Sequence, residues 1–160
     1  MIDIDTYKKQ LISIFDLIQN KYREYGGVIK EDGFTCFKGE HRSVEADFFE
    51  KFTWHYHPNG VLKFSNNDYF CFMASDAQIS ALFTKNQVAI YEKTDAVSSF
   101  KAHLFQELSG FQCLKGLFYM KALKTFNEYF NCDLNEDSEQ ELLIKLNVSK
   151  TIYKRDLQKL

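Results

Sequence analysis

The segment from Ser138 to Leu160, SEQELLIKLNVSKTIYKRDLQKL, constrains the fold most, because it joins two helix-start signals across a sharp corner. Ser138 stands three residues before Glu141, the spacing of a capping box: the hydroxyl takes one free amide and the carboxylate reaches back to another. Leu142, Leu143 and Leu146 then give a short helix its apolar side. Asn147 tolerates a left-handed backbone and can end that helix. Val148 packs into the corner, and Ser149 can cap a second helix. There Ile152, Tyr153, Leu157 and Leu160 form the buried side. Lys150, Thr151, Lys154, Arg155 and Gln158 or Lys159 face outward.

The run Glu141-Leu142 … Leu146-Asn147-Val148-Ser149-Lys150-Thr151 … Arg155-Asp156-Leu157 … Leu160 resembles the helix-turn-helix of DeoR-like and Crp-like bacterial transcription regulators. The order, with the motif last, is the Crp-like one. The resemblance covers residues 138–160 and implies a sequence-specific DNA-binding regulator whose second helix enters the major groove. Ser149, Lys150 and Thr151 would lie at the entry, Lys154 and Arg155 one turn later, and Lys159 beyond them. Arginine suits bidentate contact with guanine, while lysine suits phosphate, which positions without specifying. A helical hairpin that closes the core, with solvated lysines, is the competing reading of the same residues.

Charge permits the DNA reading without requiring it. The chain is −2 overall, yet residues 138–160 are net +2, leaving −4 for residues 1–137. One localised basic surface could bind nucleic acid while the acidic remainder limits non-specific affinity. With 160 residues, 45% apolar and 26% charged, the composition is that of a soluble globular protein. Sixteen Phe and nine Tyr point to aromatic core packing before base stacking. No apolar run is long enough to span a membrane, and the polar start MIDIDTYKKQ is unlike a secretory signal. Cys36, Cys71, Cys113 and Cys132 are widely spaced among apolar neighbours, which predicts buried free thiols in a reducing cytoplasm.

Along the chain, Tyr7, Leu11, Ile14, Phe15, Ile18, Tyr22 and Tyr25 predict a helix over 6–25, capped by Asp3 or Asp5 and stopped by Gly26-Gly27. Its stripe covers a sheet or forms a dimer seam. Glu31-Asp32-Gly33 predicts a turn between strands Val28–Lys30 and Phe34–Lys38. A short helix is expected over 43–52. Thr53 to Met73 reads as a three-stranded antiparallel meander, with strands at 53–57, 61–64 and 69–73 and turns at Pro58-Asn59-Gly60 and Asn66-Asn67-Asp68. A helix from Ser75 to about Thr84 and a strand over Gln87–Glu92 come next. Further helices are expected from Asp95 to about Leu108 and over 111–130, then a flexible acidic link at 131–137. The expected architecture is α+β: a mainly antiparallel sheet with covering helices in a sensing or dimerisation domain, 1–109, and a C-terminal three-helix, helix-turn-helix segment, 110–160.

Chemistry is sparse. His55 and His57 lie two apart on an expected strand, so they share a face and could share a metal. No third ligand is evident nearby, and cross-strand packing is the simpler use. Glu40-His41-Arg42 is one local charged cluster, and His103 sits on an apolar helix. No phosphate loop, nucleophile elbow or zinc-protease signature occurs. No catalytic residue, metal or cofactor is expected, and the chain reads as a non-enzyme. Two alternatives to the DNA-binding regulator stay open: a small immunity or inhibitor protein binding a basic protein partner, and a small enzyme using His55 and His57.

Overall fold

Short apolar runs bounded by turn residues need a sheet to pair in, and amphipathic stretches beside them need a sheet to cover. The computed structural model describes residues 2–38, 50–94, 100–101, 103–104 and 115–160, the last of these with backbone alone at 115–119. Asp3 caps a 3-10 turn, Ile4–Tyr7, by accepting the Asp5 amide, and helix α1 runs Lys8–Ile18. Strands β1 (Tyr25–Lys30), β2 (Gly33–Phe34) and β3 (Phe37–Lys38) come after it, then β4 (Phe52–Tyr56), helix α2 (Asn66–Ala74), β5 (Ile79–Phe83) and β6 (Gln87–Lys93). Helix α3 (Lys115–Phe130), helix α4 (Glu139–Leu146) and strand β7 (Val148–Lys154) complete the described elements.

All seven strands join one sheet in the order β2-β1-β4-β5-β6-β7, with β3 also paired to β1. Every pairing is antiparallel except β4 with β5. Strand alternation sends side chains to two faces, each with its own core. On one face Trp54, Tyr56, Ala81, Phe83, Val88 and Ile90 pack against Leu11, Ile14, Phe15 and Ile18 of α1. On the other, Leu82, Ala89 and Tyr91 pack against Tyr69 and Phe72 of α2, Phe126 of α3, and Leu142 and Leu146 of α4. His55 and Lys150, out of phase with Trp54 and Tyr153, belong to this second face.

The α+β class and the mainly antiparallel sheet agree with the sequence reading; the C-terminal three-helix segment does not. Its first two helices are α3 and α4, the latter with Ser138 accepting the Glu141 amide and Asn147 left-handed at φ 59° and ψ 48°. The expected recognition helix is strand β7, paired with β6 from Val148↔Lys93 to Lys154↔Gln87. Val148, Thr151, Ile152 and Tyr153 are β-branched or aromatic and fit a pleated surface better than a helix. The chain then turns back, and the Leu160 amide reaches the Ile152 carbonyl at 2.9 Å.

Other expectations need correcting. Helix α1 ends at Ile18, and Tyr22 beyond it is 84% exposed. Gly26 and Gly27 lie inside β1 rather than stopping a helix: a Cβ on Gly27 would stand 2.1 Å from the Thr35 carbonyl oxygen. Residues 61–64 form no strand, and Tyr69–Met73 is helical, because Ser65 and Asp68 close a reciprocal capping box that starts α2. That helix carries the chain across so that β5 runs parallel to β4. The helix expected from Ser75 is instead the buried strand β5. The segment 131–137 is pinned rather than a loose link, with Leu134 buried and its amide bonded to Asn127 Oδ1 at 3.1 Å. The helix expected over 43–52 falls outside the described residues except at its end, where Phe52 opens β4. Of the helix expected over 95–108, residues 100–101 and 103–104 are described and are helical. Glu40, His41, Arg42, Cys113 and the first residues of the helix over 111–130 also lie outside the described set.

Candidate metal centre

Strand β4 delivers two imidazoles to one place. His55 is its penultimate residue, and the His57 amide extends the pairing by donating to the Phe83 carbonyl at 2.9 Å. The chain then reverses at 57–60, where Gly60 takes φ 78°. It returns along 61–65 to the start of α2. The capping box fixes Asp68 there: its amide donates to Ser65 Oγ at 3.1 Å, and its Oδ2 accepts the Ser65 amide at 2.8 Å. Asp68 Oδ2 consequently stands 3.2 Å from His55 Nε2 and 3.2 Å from His57 Nε2. One ligand atom from each of the three residues lies within 4.8 Å of the others.

The surroundings define the state of each group. His57 Nδ1 lies 2.9 Å from the Val61 carbonyl oxygen, so Nδ1 carries a proton, and whenever the ring is neutral its lone pair is on Nε2. Burial works against a charge on His57, but Asp68, the Val61 carbonyl and the more distant Glu24 together raise its pKa above the ordinary histidine value. Burial would likewise raise Asp68; the neighbouring His55, then His57 and the Ser65 amide, overcome it and hold the carboxyl well below the usual range. His55 Nε2 is enclosed yet makes no aligned hydrogen bond. Its nearest polar contact is Asp68 Oδ2, at 3.2 Å.

A second polar network adjoins the first. Phe64 is buried with its ring stacked on Tyr91, centroids 3.7 Å apart, and the His55 ring lies 5.5 Å from it, centroid to centroid. The Phe64 amide donates to the Tyr91 hydroxyl at 3.2 Å, and that hydroxyl donates to Glu139 Oε2 at 2.8 Å. Tyr69 donates to the same oxygen at 2.6 Å, while Lys150 bonds Glu139 Oε1 and also the Leu62 carbonyl, the latter at 2.8 Å. Burial would raise the Glu139 carboxyl; Lys150, Tyr69 and Tyr91 hold it below the usual value. Burial comes first in raising both tyrosines; Tyr91 and Glu139 add to it at Tyr69, while at Tyr91 Glu139 adds to it and the Phe64 amide and Tyr69 oppose it.

The residues expected to read DNA are dispersed. Ser149, Lys150, Thr151 and Lys154 are in β7, with Ser149 and Thr151 alternating to the face opposite Lys150. Lys150 is inside the Glu139 network rather than in solvent. Arg155 pairs with Asp16 at 3.1 Å, and Lys159 lies in an isolated bridge opposite Tyr153. Residues 148–154 are a strand, so the recognition helix on which the groove-entry expectation rested is not formed. His103 packs beside the Tyr129 ring at 4.9 Å. Of the described cysteines, Cys71 and Cys132 are half-buried, but Cys36 is exposed, against the expectation of buried thiols. The pairing of His55 with His57 is legible from their spacing; sequence reasoning misses Asp68, and the signal for it is its position three residues after Ser65.

No helix among the described residues is long and apolar enough to cross a membrane. Comparison with family models, with curated proteins and with solved structures returned no match, so the geometry alone must carry the functional reading.

Proposed function

We propose that this chain is a metal-binding protein that takes one divalent transition ion, of the zinc class, on His55 Nε2, His57 Nε2 and Asp68 Oδ2. The observation that carries this reading is the pair of 3.2 Å separations between the imidazole nitrogens and one carboxylate oxygen. Ligands bonded at about 2.0–2.1 Å to a tetrahedral ion stand about 3.3 Å from one another. Imidazole and carboxylate together suit zinc and its neighbours better than calcium or magnesium, which take oxygen ligands. The Val61 carbonyl on His57 and the Ser65 amide on Asp68 are the outer contacts that orient ligands of this kind.

Three protein ligands leave a four-coordinate ion one position for water or an oxygen-bearing ligand. The His55 and Asp68 side chains retain 23% and 21% exposure, although His55 Nε2 itself is enclosed. The ion would supply Lewis acidity there, polarising whatever oxygen it holds.

The test is direct titration of chelator-treated protein with Zn(II) and Co(II), monitored by calorimetry and by the visible spectrum of cobalt. One equivalent per chain is expected in the wild type, with loss of about 100-fold or more in affinity for the His55→Ala/His57→Ala double variant and a clear loss for Asp68→Asn. A wild type that takes up no ion, or a double variant that binds as the wild type does, would show the three side chains to be an ion-paired structural cluster instead.

A further inference from the structure

We infer that Lys150, Glu139 and Tyr91 form a clamp that sets the affinity of the metal centre from a distance, by holding the segment 61–65 in one conformation. This inference rests on the metal reading and adds a control element to it.

The segment touches every ligand. Val61 offers its carbonyl to His57 Nδ1 at 2.9 Å. Phe64 lays its ring along His55, with 30° between the planes. Ser65 gives its amide to Asp68 Oδ2 at 2.8 Å. One short stretch of chain therefore orients both imidazoles and the carboxylate. Among the described residues it has no strand partner; it lies between the end of β4 at Tyr56 and the start of α2 at Asn66.

What fixes it comes from the far side of the sheet order. Lys150 of β7 donates to the Leu62 carbonyl, and Tyr91 of β6 accepts the Phe64 amide and stacks on the Phe64 ring. Glu139, at the start of α4, ties these two holders together by binding the Lys150 amine and the Tyr91 hydroxyl. The Lys150 amine also lies 5.2 Å from the centroid of the Tyr91 ring. None of the three touches a ligand atom. They are positioning residues, and their influence passes through Leu62 and Phe64. Loss of a group that bonds a metal ligand directly commonly weakens binding by about 10–100-fold, and a loss relayed through Leu62 and Phe64 belongs at the lower end of that range.

The experiment compares the wild type with Tyr91→Phe, which keeps the ring stack and removes only the hydroxyl, and with Lys150→Met. Phe15→Leu, on the opposite face of the sheet, is the control for a general loss of stability. Zn(II) affinity, the Co(II) visible band and the urea midpoint are read for each. The clamp predicts about 10-fold or greater weakening and a shifted cobalt band for Tyr91→Phe and Lys150→Met, with Lys150→Arg recovering part of the loss. Phe15→Leu should lower the urea midpoint while leaving affinity and spectrum unchanged. If the wild type binds the ion and Tyr91→Phe and Lys150→Met bind it equally well, the clamp is wrong and the metal centre stands. Equal weakening by Phe15→Leu would also reject the clamp, since any loss of stability would then suffice. A wild type that binds no ion removes the metal centre and the clamp together.

Discussion

The amine of Lys93 lies 4.7 Å from the centroid of the Phe72 ring and donates to the Ser75 carbonyl at 3.0 Å. Burial is the main cause that lowers its pKa to about 8 from 10.5; Asp76 opposes the shift, while Lys101 and Lys51 add to it. The folded chain releases this proton earlier than the unfolded chain, so the unfolded state binds more protons between those two values. Stability contributed by this group therefore rises as pH climbs from 8 towards 10.5, by about 3 kcal/mol at most. Below pH 8 the cost of burying the charge is present in full. Urea unfolding at pH 7, 8.5 and 9.5 should show the rise in the wild type and a flatter profile in Lys93→Met; parallel profiles would mean that Lys93 is not responsible. The sequence gives no hint of this lysine's burial, since it closes a strand with Glu92 before it and Thr94 after it, like any solvated residue. Gly27 shows the same limit in another form. Paired with Gly26, it reads as a helix stop, yet it is there because Thr35 packs against its α-carbon. No local pattern encodes an approach made from beyond the next turn.

At the level of elements, two capping boxes differ in how plainly they can be read. Ser138 with Glu141 is legible because leucines at helical spacing come after it. Ser65 with Asp68 has the same spacing, but Asn66-Asn67-Asp68 resembles a turn and Tyr69-Phe70-Cys71-Phe72-Met73 resembles a strand. The cap decides the outcome, and with it the position of the carboxylate. Ser65→Ala should lower stability by about 1 kcal/mol through the lost hydroxyl acceptor. It keeps the backbone amide that bonds Asp68, so zinc affinity should fall less than the roughly 10-fold that a lost outer contact commonly brings, measured by the same titration. A loss as large as that of Asp68→Asn would place the hydroxyl itself among the ligands. Asn147 shows the opposite ambiguity. Its left-handed backbone is legible in the sequence, but such a residue ends a helix without specifying the next element. The β-branched residues after it decide for a strand. His55 and His57 read as neighbours because a strand alternates; their partner does not, since it depends on how the loop from 57 to 65 closes.

On the scale of the whole molecule, the boundary expected near residue 109 separates segments that share a sheet. β6 lies before it and β7 after it, paired along their whole lengths. The core of the second face also draws on both sides, joining Tyr69, Phe72 and Tyr91 with Phe126, Leu142, Leu146 and Val148. A fragment of residues 1–109 would leave β6 as an open edge and strip apolar cover from the face that carries His55. It should show no cooperative urea transition, and mixing it with residues 110–160 should restore one. A fragment that unfolds cooperatively alone would mean that α1 and the first face suffice. The amphipathic stripes and the strand periods reveal the class of the fold, but they cannot reveal which strand neighbours which, because pairing partners are chosen by packing across the full chain. The late arrival of β7 also has a temporal side. As the polypeptide leaves the ribosome, both imidazoles emerge well ahead of Lys150, so a newly made chain presents its ion-binding groups before the anchor for their loop exists, and full affinity would be acquired only after the tail has been threaded into place.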